Sequence, residues 1–327
     1  MIDFLYLSFG KTDSLKQALF SVLSLLSYQP TTNFRINIAT DNPNFFNEFI
    51  GEWDITYLFL DDEIIAKMRG DIDFLHRMKI AAIEMLFKRG AQKIFYVDSD
   101  TFFVKPIHKK MLSISPRQSL VHKHEFYFSK AWKEDATSPT KVLYQLLQNG
   151  KVCINQEGKP LKMDVNFSSW NAGVIGIDCV NFHLLKSVYE FTDVIFSSTG
   201  HHASEQFSFS FVLERNCKIV TCEKEVFHYW PALQKELSNK YLNDFFSKNF
   251  PATPKEKLSL TQIAIAELYH LLTTHPRVMT EGAIKEFYQK RYFEAYLKCG
   301  KAIIYGNYNY KFLKDIAYHT KKIIFNR

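Results

Sequence analysis

The sequence predicts an α/β protein in which a mixed, mostly parallel sheet is flanked by helices and followed by a helical C-terminal extension. Three observations support this fold class. Apolar runs of strand length alternate with segments whose apolar residues recur at helical spacing. From Pro231 onward the pattern is helical with loops. A chain of 327 residues, of which 46% are hydrophobic, can also bury a sizeable core.

The N-terminal part repeats strand and helix. Gly, Asn, Asp and Pro mark the ends of its segments, as is typical of strand and helix termini. Repeated β-α units of this kind indicate an open sheet covered by helices. We interpret four segments as strands: "IDFLYLSFG", "FRINIATDNP", "WDITYLFLDD" and "KIFYVDSD". The segment "SLKQALFSVLSLLSY" after the first strand and "DFLHRMKIAAIEMLFKRG" before the last are interpreted as helices.

The pattern degrades in residues 113–165, where mixed polar and aromatic residues predict a loop-rich insertion with a short helix in "TKVLYQLLQNG". Regular spacing then returns. Strands are predicted in "SSWNAGVIGID" and "KIVTCEKEVFHYW", and between them two helices are predicted in "FHLLKSVYEFTDVIF" and "FSFSFVLERN". We therefore predict a domain of residues 1–230 that contains the insertion, and a helical region of residues 231–327.

The net charge of +7 is concentrated in the C-terminal region. Residues 285–327 hold ten Lys or Arg and three Asp or Glu, interleaved with Tyr, Phe and Ile. Such a mixture can lie on an anionic membrane surface, where each basic residue contributes about 1 kcal/mol. A nucleic-acid partner and a helical subdomain with a solvated basic face are the alternatives.

Other features concern the cellular compartment. The N-terminus carries Asp3 where a secretory signal would be basic, and its apolar run is too short for a signal core. No stretch has the roughly 18 to 20 apolar residues that span a bilayer. The five cysteines form no CxxC pair, which disfavours a disulfide framework or a thiolate zinc site. We expect a cytoplasmic protein, with peripheral contact at the inner face of the membrane through its basic C-terminal region.

An acidic pair, Asp98 and Asp100, ends the last strand of the N-terminal part. Ligands of open α/β sheets bind at the carboxyl ends of strands. Two carboxylates one residue apart on a turn can converge on a hard divalent cation, which keeps phosphate oxygens or water in its other positions. Alternatively, the pair caps the next segment in a solvated turn. Phosphatases of the haloacid dehalogenase type also have an aspartate pair after an apolar strand. Their pattern expects Thr or Val where this chain has Phe102, which disfavours that class.

Four motifs carry a resemblance to a known family: "KIFYVDSDTFFVKPI", "WNAGVIGID", "SEQFSFSF" and "VFHYW", in this order. Their order resembles that of GT-A glycosyltransferases, most closely the family 8 type, from about Ile2 to Trp230. The resemblance implies a Rossmann-like GT-A catalytic domain that binds a nucleotide sugar, with the insertion on its acceptor side. It also implies metal-dependent transfer of a sugar, with retention, from a nucleoside diphosphate donor such as a UDP-sugar to a hydroxyl of a glycan or lipid-linked acceptor.

The same resemblance implies a cation site. In that family the two aspartates bind Mn²⁺ (or Mg²⁺) at the donor diphosphate, and a late histidine completes the protein ligands. It thus implies Asp98, Asp100 and His228 as ligands. Imidazole at a strand end suits a transition metal. The alternative for His228 is a histidine that is hydrogen-bonded in the core.

Donor-binding residues are implied on the preceding helix and at strand ends. Arg77 or Lys79 would neutralise phosphate, and we expect Arg77 first because a guanidinium binds phosphate in bidentate fashion. One exposed and one snorkelling charge on an amphipathic helix is the alternative. The first strand departs from the family pattern by ending in Ser-Phe-Gly, so the base is not specified. The remaining candidates near the nucleotide are Tyr6, Ser8, Asp41 and Ser99.

Residues of the motifs "WNAGVIGID" and "SEQFSFSF" are implied to face the sugar. Asn171 would bond the donor sugar, while the small Ala172 and Gly173 let the backbone approach it; a tight turn is the alternative. Glu205 would bind sugar hydroxyls or act as general base, and Gln206 would lie near the anomeric carbon. Glu205 also suits the start of a helix that Ser204 caps.

The insertion and the rival functions complete the predictions. Aromatic residues of the insertion could stack on sugar rings or cover the core: Phe126, Tyr127, Phe128 and Trp132.

Two other functions are alternatives to the glycosyltransferase. A sugar nucleotidyltransferase would need a Gly-rich, Arg-bearing loop after the first strand, where "SFGKTDS" has one Gly. A noncatalytic sugar- or nucleotide-binding protein of the same fold is the other alternative. The resemblance implies no nucleic-acid partner.

Overall fold

A computed structural model describes residues 1–28, 34–51, 53–131, 138–156, 158–288, 290–306 and 309–325. The chain divides into two compact units, Met1–His228 and Tyr229–Arg327. The first unit is α/β, and the described residues of the second form helices and their connections. The predicted fold class, an α/β sheet with helices on it and a helical C-terminal part, is confirmed.

The elements of the described chain are numbered in chain order. The strands are β1 (Ile2–Leu7), β2 (Phe34–Thr40), β3 (Ile55–Phe59), β4 (Lys93–Asp98), β5 (Thr101–Phe103), β6 (Gln118–Val121), β7 (His124–Tyr127), β8 (Cys153–Gln156), β9 (Lys159–Lys162), β10 (Ser168–Trp170), β11 (Val174–Asp178), β12 (Lys218–Thr221) and β13 (Val226–His228). The α-helices are α1 (Thr12–Tyr28), α2 (Pro43–Ile50), α3 (Asp62–Arg69), α4 (Arg77–Lys88), α5 (His108–Met111), α6 (Phe128–Ala131), α7 (Pro139–Gln148), α8 (Leu184–Thr199), α9 (Ser204–Asn216), α10 (Ala232–Asn249), α11 (Pro254–Thr274), α12 (Pro276–Tyr288), α13 (Tyr292–Ile304) and α14 (Tyr310–Phe325).

The central sheet of the first unit has seven strands in the order β12-β6-β11-β4-β1-β2-β3. Strand β1 is parallel to both β2 and β4, and β2 is parallel to β3. Strand β11 is antiparallel to β4 and β6, and β6 is parallel to β12. Because β1, β2 and β4 run in the same direction, their carboxyl ends meet at one edge of the sheet.

Aromatic side chains fill the core under this edge. The ring of Phe4 on β1 packs at 4.8 Å from Phe95 on β4 and at 6.0 Å from Phe103 on β5. All three rings are fully buried. Burying each of them contributes about 1.5–3 kcal/mol. The contacts fix β5, which follows the acidic pair, against the central strands.

Two predicted strands are each divided in the structure. "SSWNAGVIGID" forms β10 and β11 with a break at residues 171–173, since β10 leaves the central sheet to pair with β7. "KIVTCEKEVFHYW" forms β12 in the central sheet and β13, which pairs with β5. The insertion supplies β6 to the central sheet, where only loops and a helix were predicted. Strands of three or four residues are too short to show periodicity in the sequence.

Helices α12, α13 and α14 of the second unit share an apolar core of small and aromatic side chains: Ala283, Phe287, Ala295, Cys299, Ala302 and Phe312. Beside it, the carboxylate of Glu286 accepts hydrogen bonds from Lys298 Nζ at 2.6 Å and from Arg291 Nε. Among the described helices, none combines the length and the apolar character that crossing a bilayer requires.

The Glu286 ion pairs predict acid sensitivity of the second unit. Burial alone would raise the pKa of Glu286, but the bonds from Lys298 and Arg291 outweigh it and lower the pKa. A carboxyl whose pKa is lower in the folded than in the unfolded state stabilises the fold above its unfolded pKa, and this stabilisation is lost as the pH falls. Because both cations are about half exposed, we expect Glu286→Gln to cost about 1–2 kcal/mol at pH 7.

Amide hydrogen exchange of α12 and α13 in the full chain, corrected for its intrinsic pH dependence, measures this effect. The difference between wild type and Glu286→Gln should shrink as the pH falls below 4.5, the ordinary pKa of the group. Glu281→Gln, on an exposed position of the same helix, is the matched control. A difference that is unchanged between pH 7 and pH 3 would contradict the assignment.

Candidate functional site

Strands β4, β5 and β13 bring three candidate ligands together. Strand β4 ends at Asp98, and the Thr101 hydroxyl donates to the Asp98 carbonyl at 2.8 Å, closing the turn that holds Asp100. Strand β5 then pairs antiparallel with β13, with His228 opposite Thr101. This pairing carries His228 to the acidic pair although the residues are far apart in sequence.

The ligand atoms of Asp98, Asp100 and His228 all lie within 4.8 Å of one another. His228 Nε2 is 3.2 Å from Asp100 Oδ1. The side chains of His228 and Asp100 are 6% and 10% exposed, while that of Asp98 is 23% exposed, so the group opens on the Asp98 side. Two carboxylates and an imidazole that converge in this way fit a divalent cation with positions left for other oxygen ligands.

Hydrogen bonds orient the imidazole of His228. Asn171 Oδ1 accepts from the Gly173 backbone N–H at 3.1 Å and lies 2.8 Å from His228 Nδ1. Because an amide oxygen can only accept hydrogen bonds, the bond between Asn171 Oδ1 and His228 Nδ1 requires a proton on Nδ1. Nε2 then faces Asp100 Oδ1: it donates to that oxygen when protonated, and when unprotonated the two atoms can share a cation.

Gly173 makes this approach of His228 possible. A Cβ atom on residue 173 would lie 2.3 Å from His228 Nδ1 and 3.0 Å from Asn171 Oδ1. Both atoms belong to groups that are buried and hydrogen-bonded. The glycine is therefore required by close packing against the histidine.

Lys79 on α4 is the buried cation of the site. Its Nζ donates to the Ala172 carbonyl at 2.9 Å and to Asp98 Oδ2 at 3.2 Å, and lies 3.5 Å from Glu205 Oε1. Burial alone would lower the pKa of Lys79, but the carboxylates of Asp98 and Glu205 outweigh it and raise the pKa, so the amine is charged. The Tyr96 hydroxyl donates to the other oxygen of Asp98 at 2.8 Å.

Glu205 lies in the first turn of α9 and is 4% exposed. One of its oxygens faces Lys79, and the other is buried with no hydrogen-bond partner among the described residues. A buried carboxylate oxygen without a partner is costly. This atom is therefore available to accept a hydrogen bond from a bound molecule.

Arg77, which the sequence analysis ranked ahead of Lys79, lies elsewhere. Its guanidinium makes a bidentate contact with Asp193 on α8, at 2.8 and 3.3 Å, and donates to the Met68 carbonyl at 3.2 Å. It also lies over the ring of Tyr189 at 4.5 Å. Of the two basic residues, the structure thus brings Lys79 to the candidate ligands and engages Arg77 in helix packing.

The residues expected near the nucleotide lie at the carboxyl edge in different surroundings. Tyr6 is fully buried within β1, so its side chain belongs to the core. Asp41 Oδ2 accepts from the Gly10 backbone N–H at 2.9 Å. The Ser8 hydroxyl and Asp41 Oδ1 are buried without a hydrogen-bond partner in the described chain. Ser99 is partly buried in the turn between the two aspartates.

Glu125 on β7 is a residue of the site that the sequence did not indicate. One of its oxygens accepts from Asn171 Nδ2 at 3.0 Å, and the other accepts from Gln206 Nε2 at 2.8 Å. Gln206 Oε1 in turn accepts from the Ala172 backbone N–H at 3.2 Å. Glu125 lies in the irregular insertion, where no sequence pattern distinguishes it from other polar residues.

His122 is a second residue that the sequence did not indicate. It is buried, its ring lies 5.4 Å from that of His228, and its Nε2 bonds the Val226 carbonyl at 3.0 Å. Burial, followed by the neighbouring His228, lowers the pKa of His122 to about 3, so the ring is neutral near pH 7. Its Nε2–H therefore donates to the carbonyl and fastens β13 beside the site.

The aromatic residues of the insertion divide between core and surface. Phe128 is fully buried against Phe167 and Phe207, with ring centroids 5.0 and 5.1 Å away. Phe126 is partly buried in the same cluster, and Tyr127 is 54% exposed. Trp132 lies outside the described residues. Phe126 and Phe128 thus cover the core, the second of the two roles expected for them.

No protein-family model matches the sequence, and no curated protein matches it. The chain is similar to the crystal structure of the galactosyltransferase LgtC in complex with donor and acceptor sugar analogues, with 10% identity over 79% of this chain and 99% of that chain and a TM-score of 0.46. For an LgtC variant in which an active-site Gln is replaced by Glu, the identity is 12% over 64% and 70% of the two chains, with a TM-score of 0.42. Both structures are of the enzyme class that the motif order resembles, and at these similarities they carry no argument about activity.

The packing at Gly173 predicts the effect of adding one methyl group. We expect Gly173→Ala to displace His228 and to weaken Mn²⁺ binding by about tenfold or more. Electron paramagnetic resonance of free Mn²⁺ in a titration of the protein measures the affinity. Gly300→Ala is the control, because a Cβ there meets open space. Wild-type Mn²⁺ affinity in a folded Gly173→Ala protein would contradict the role of this contact.

Proposed function

We propose that this protein is a metal-dependent glycosyltransferase that moves a sugar from a nucleoside diphosphate donor, a UDP-sugar first, to a hydroxyl of a glycan or lipid-linked acceptor. One observation carries the proposal: Asp98, Asp100 and His228 converge at the carboxyl edge of the sheet, beside Glu205 with its unpartnered oxygen. This is the edge at which open α/β sheets bind their ligands.

The balance of charge supports a phosphorylated ligand held through a cation. Among the described residues, the carboxylates of Asp98, Asp100 and Glu205 share the buried amine of Lys79. A diphosphate alone would be repelled, since two like unit charges 4 Å apart interact by about 4 kcal/mol at an effective dielectric constant of about 20. A divalent cation reverses the sign of this interaction. Binding of the donor should therefore require the metal.

The chain's own residues then divide the work. Mn²⁺ or Mg²⁺, when bound by Asp98, Asp100 and His228, would supply Lewis-acid stabilisation of the leaving diphosphate. Lys79 and the Tyr96 hydroxyl hold Asp98 in place through its two oxygens. Near the nucleoside, the free hydrogen-bonding atoms of Ser8 and Asp41 would serve the base or ribose.

At the sugar, the unpartnered oxygen of Glu205 would accept from a sugar hydroxyl or from the attacking acceptor hydroxyl. Gln206, held by Glu125 and the Ala172 N–H, would lie near the anomeric carbon. Ala172 and Gly173 leave room for the donor. Transfer with retention by front-face attack is part of the proposal and follows from the family 8 resemblance.

Calorimetric titration with UDP, with and without Mn²⁺, tests the donor site. We expect binding of UDP that depends on Mn²⁺. The affinity should fall at least tenfold in Asp100→Asn, because replacing residues that merely support metal ligands already costs about tenfold or more. Asp71→Asn, on an exposed position of the same unit, should bind as wild type does. If neither UDP, GDP, CMP nor dTDP binds with or without Mn²⁺, the transferase proposal fails.

Turnover separates the proposal from its two rivals. Hydrolysis or transfer of a UDP-sugar that releases UDP supports the glycosyltransferase. Formation of a nucleotide sugar from a sugar phosphate and a nucleoside triphosphate would instead support a nucleotidyltransferase. Binding of UDP and Mn²⁺ without any turnover would support a noncatalytic binding protein.

We also propose that the second unit contacts an anionic bilayer. The exposed face of α14 carries four lysines together with Tyr310, Tyr318 and Phe325, and its acid, Asp315, is partly buried. On α13, Phe293 and Ile304 are 77% and 78% exposed. Exposed aromatic and aliphatic side chains between lysines fit the interface of a negatively charged membrane.

Sedimentation with vesicles tests this contact in the full chain. We expect binding to phosphatidylcholine vesicles that contain phosphatidylserine, and little binding to phosphatidylcholine alone. Reversal of the α14 lysines should abolish it: Lys311→Glu, Lys314→Glu, Lys321→Glu and Lys322→Glu. The control reverses four exposed lysines of the first unit: Lys105→Glu, Lys109→Glu, Lys218→Glu and Lys224→Glu. Equal binding of both variants would contradict a specific role of α14.

A further inference from the structure

One carboxylate, that of Glu125, holds both amide side chains of the site. Its two oxygens accept from Asn171 Nδ2 and from Gln206 Nε2, at 3.0 and 2.8 Å. The Ser169 hydroxyl lies 3.4 Å from the second oxygen. We propose that Glu125 is a positioning residue that sets the tautomer of His228 and the orientation of Gln206 together. This inference rests on the proposed function.

The bond from Asn171 to Glu125 and the bond from the Gly173 N–H together determine which end of that amide faces His228. An ionised carboxylate only accepts hydrogen bonds, so the NH₂ group of Asn171 must point to Glu125. The amide oxygen then points to His228 Nδ1, 2.8 Å away, and requires a proton there. The Gly173 N–H holds the same oxygen from a second side. His228 Nε2 then points to Asp100 Oδ1, 3.2 Å away, and is the ring atom that can ligate a cation once it carries no proton.

Without Glu125, the NH₂ end of Asn171 loses its acceptor, and of the two contacts only the Gly173 N–H still distinguishes the amide ends. A reversed amide would present NH₂ to His228 Nδ1, and the imidazole would place its proton on Nε2. A protonated Nε2 cannot ligate a metal. The carboxylate thus acts on the cation through a relay of two side chains, although it is itself no ligand.

The other oxygen of Glu125 performs the same sorting for Gln206. Because Gln206 donates to Glu125, its amide oxygen faces the Ala172 N–H, at 3.2 Å. Ala172 also accepts from Lys79 through its carbonyl. Occupation of the cation site and orientation of Gln206 therefore depend on one residue.

The backbone of β7 explains why Glu125 reaches this position. Ser169 pairs with Phe126 and Trp170 pairs with His124, so the register shifts and Glu125 has no partner across the ladder. Bulges of this kind redirect a side chain and recur next to active sites. The redirected carboxylate meets Asn171 and Gln206.

The test uses two substitutions in the full chain. Glu125→Leu removes both acceptors, and Glu125→Gln retains one carbonyl at nearly the same size. We expect Glu125→Leu to weaken Mn²⁺ binding, measured by electron paramagnetic resonance without donor, by about 10- to 100-fold. Glu125→Gln should show a smaller loss. Thermal unfolding checks that each protein is folded.

The matched control is Glu214→Gln. Glu214 accepts from the backbone N–H and hydroxyl of Ser168, at 2.8 and 3.0 Å, and thus supports the same strand, β10, without touching Asn171. Its Mn²⁺ affinity should stay within about twofold of wild type. An equal loss in Glu214→Gln would show that any weakening of β10 suffices, and would overturn the proposal.

The tautomer of His228 is the readout that a merely structural role would not move. Long-range ¹⁵N–¹H correlation spectra of the metal-free protein, recorded at a pH at which the His228 ring carries one proton and with His228 assigned by its loss in His228→Gln, should show Nδ1–H in wild type and an increased Nε2–H fraction in Glu125→Leu. Nε2–H in wild type, or an unchanged tautomer and Mn²⁺ affinity in folded Glu125→Leu, would overturn the inference. If the wild type bound neither UDP nor Mn²⁺, the proposed function would fail. The tautomer of His228 would still test the role of Glu125.

Discussion

Repulsion between buried carboxylates is the constraint on which the site depends. Asp100 and Glu205 are buried where solvent screens them little, Asp98 beside them is partly exposed, and Lys79 is the buried cation between Asp98 and Glu205. The amine stays charged because its neighbours outweigh its burial. Its three contacts use the carboxylates and the Ala172 carbonyl, so the charge is both paired and hydrogen-bonded. The remaining negative charge is what suits the site to a cation.

The sheet supplies the rigidity that this arrangement needs. Phe4, Phe95 and Phe103 pack β5 onto the central strands. Hydroxyl groups reinforce the same contact, because the Ser24 hydroxyl accepts from the Phe103 N–H at 2.9 Å and the Ser21 hydroxyl lies 3.1 Å from that of Thr101. Since β5 pairs with β13, movement of this region would displace Asp100 and His228 together. Ligand geometry is thus a property of the core.

Hydrogen-bond donors and acceptors give the site its direction. Asn171, Glu125 and Gln206 form a chain in which each group fixes the orientation of the next. Amide ends and imidazole tautomers have nearly the same shape in either state, so packing alone does not choose between them. The acceptor-only carboxylate of Glu125, together with the backbone N–H groups of Ala172 and Gly173, makes the choice. A small number of polar contacts therefore decides which atoms are free to bind a ligand.

The sequence by itself determined the main elements of the N-terminal part and the candidate ligands. Periodicity of 2 or 3.6 residues is a local property, and it predicted β1, α1, β2, β3, α4 and β4 and the helical character of the second unit. The resemblance carried by the motif order implied Asp98, Asp100 and His228 as ligands, and the structure brings these three residues together. Tertiary structure alone decided between Arg77 and Lys79, because residues two apart on a helix point about 200° apart and only packing shows which faces the site. It alone divided "SSWNAGVIGID" at Gly173 and brought Glu125 from the irregular insertion to Asn171 and Gln206, because the partners of a hydrogen bond lie far apart in the chain and leave no pattern in either segment.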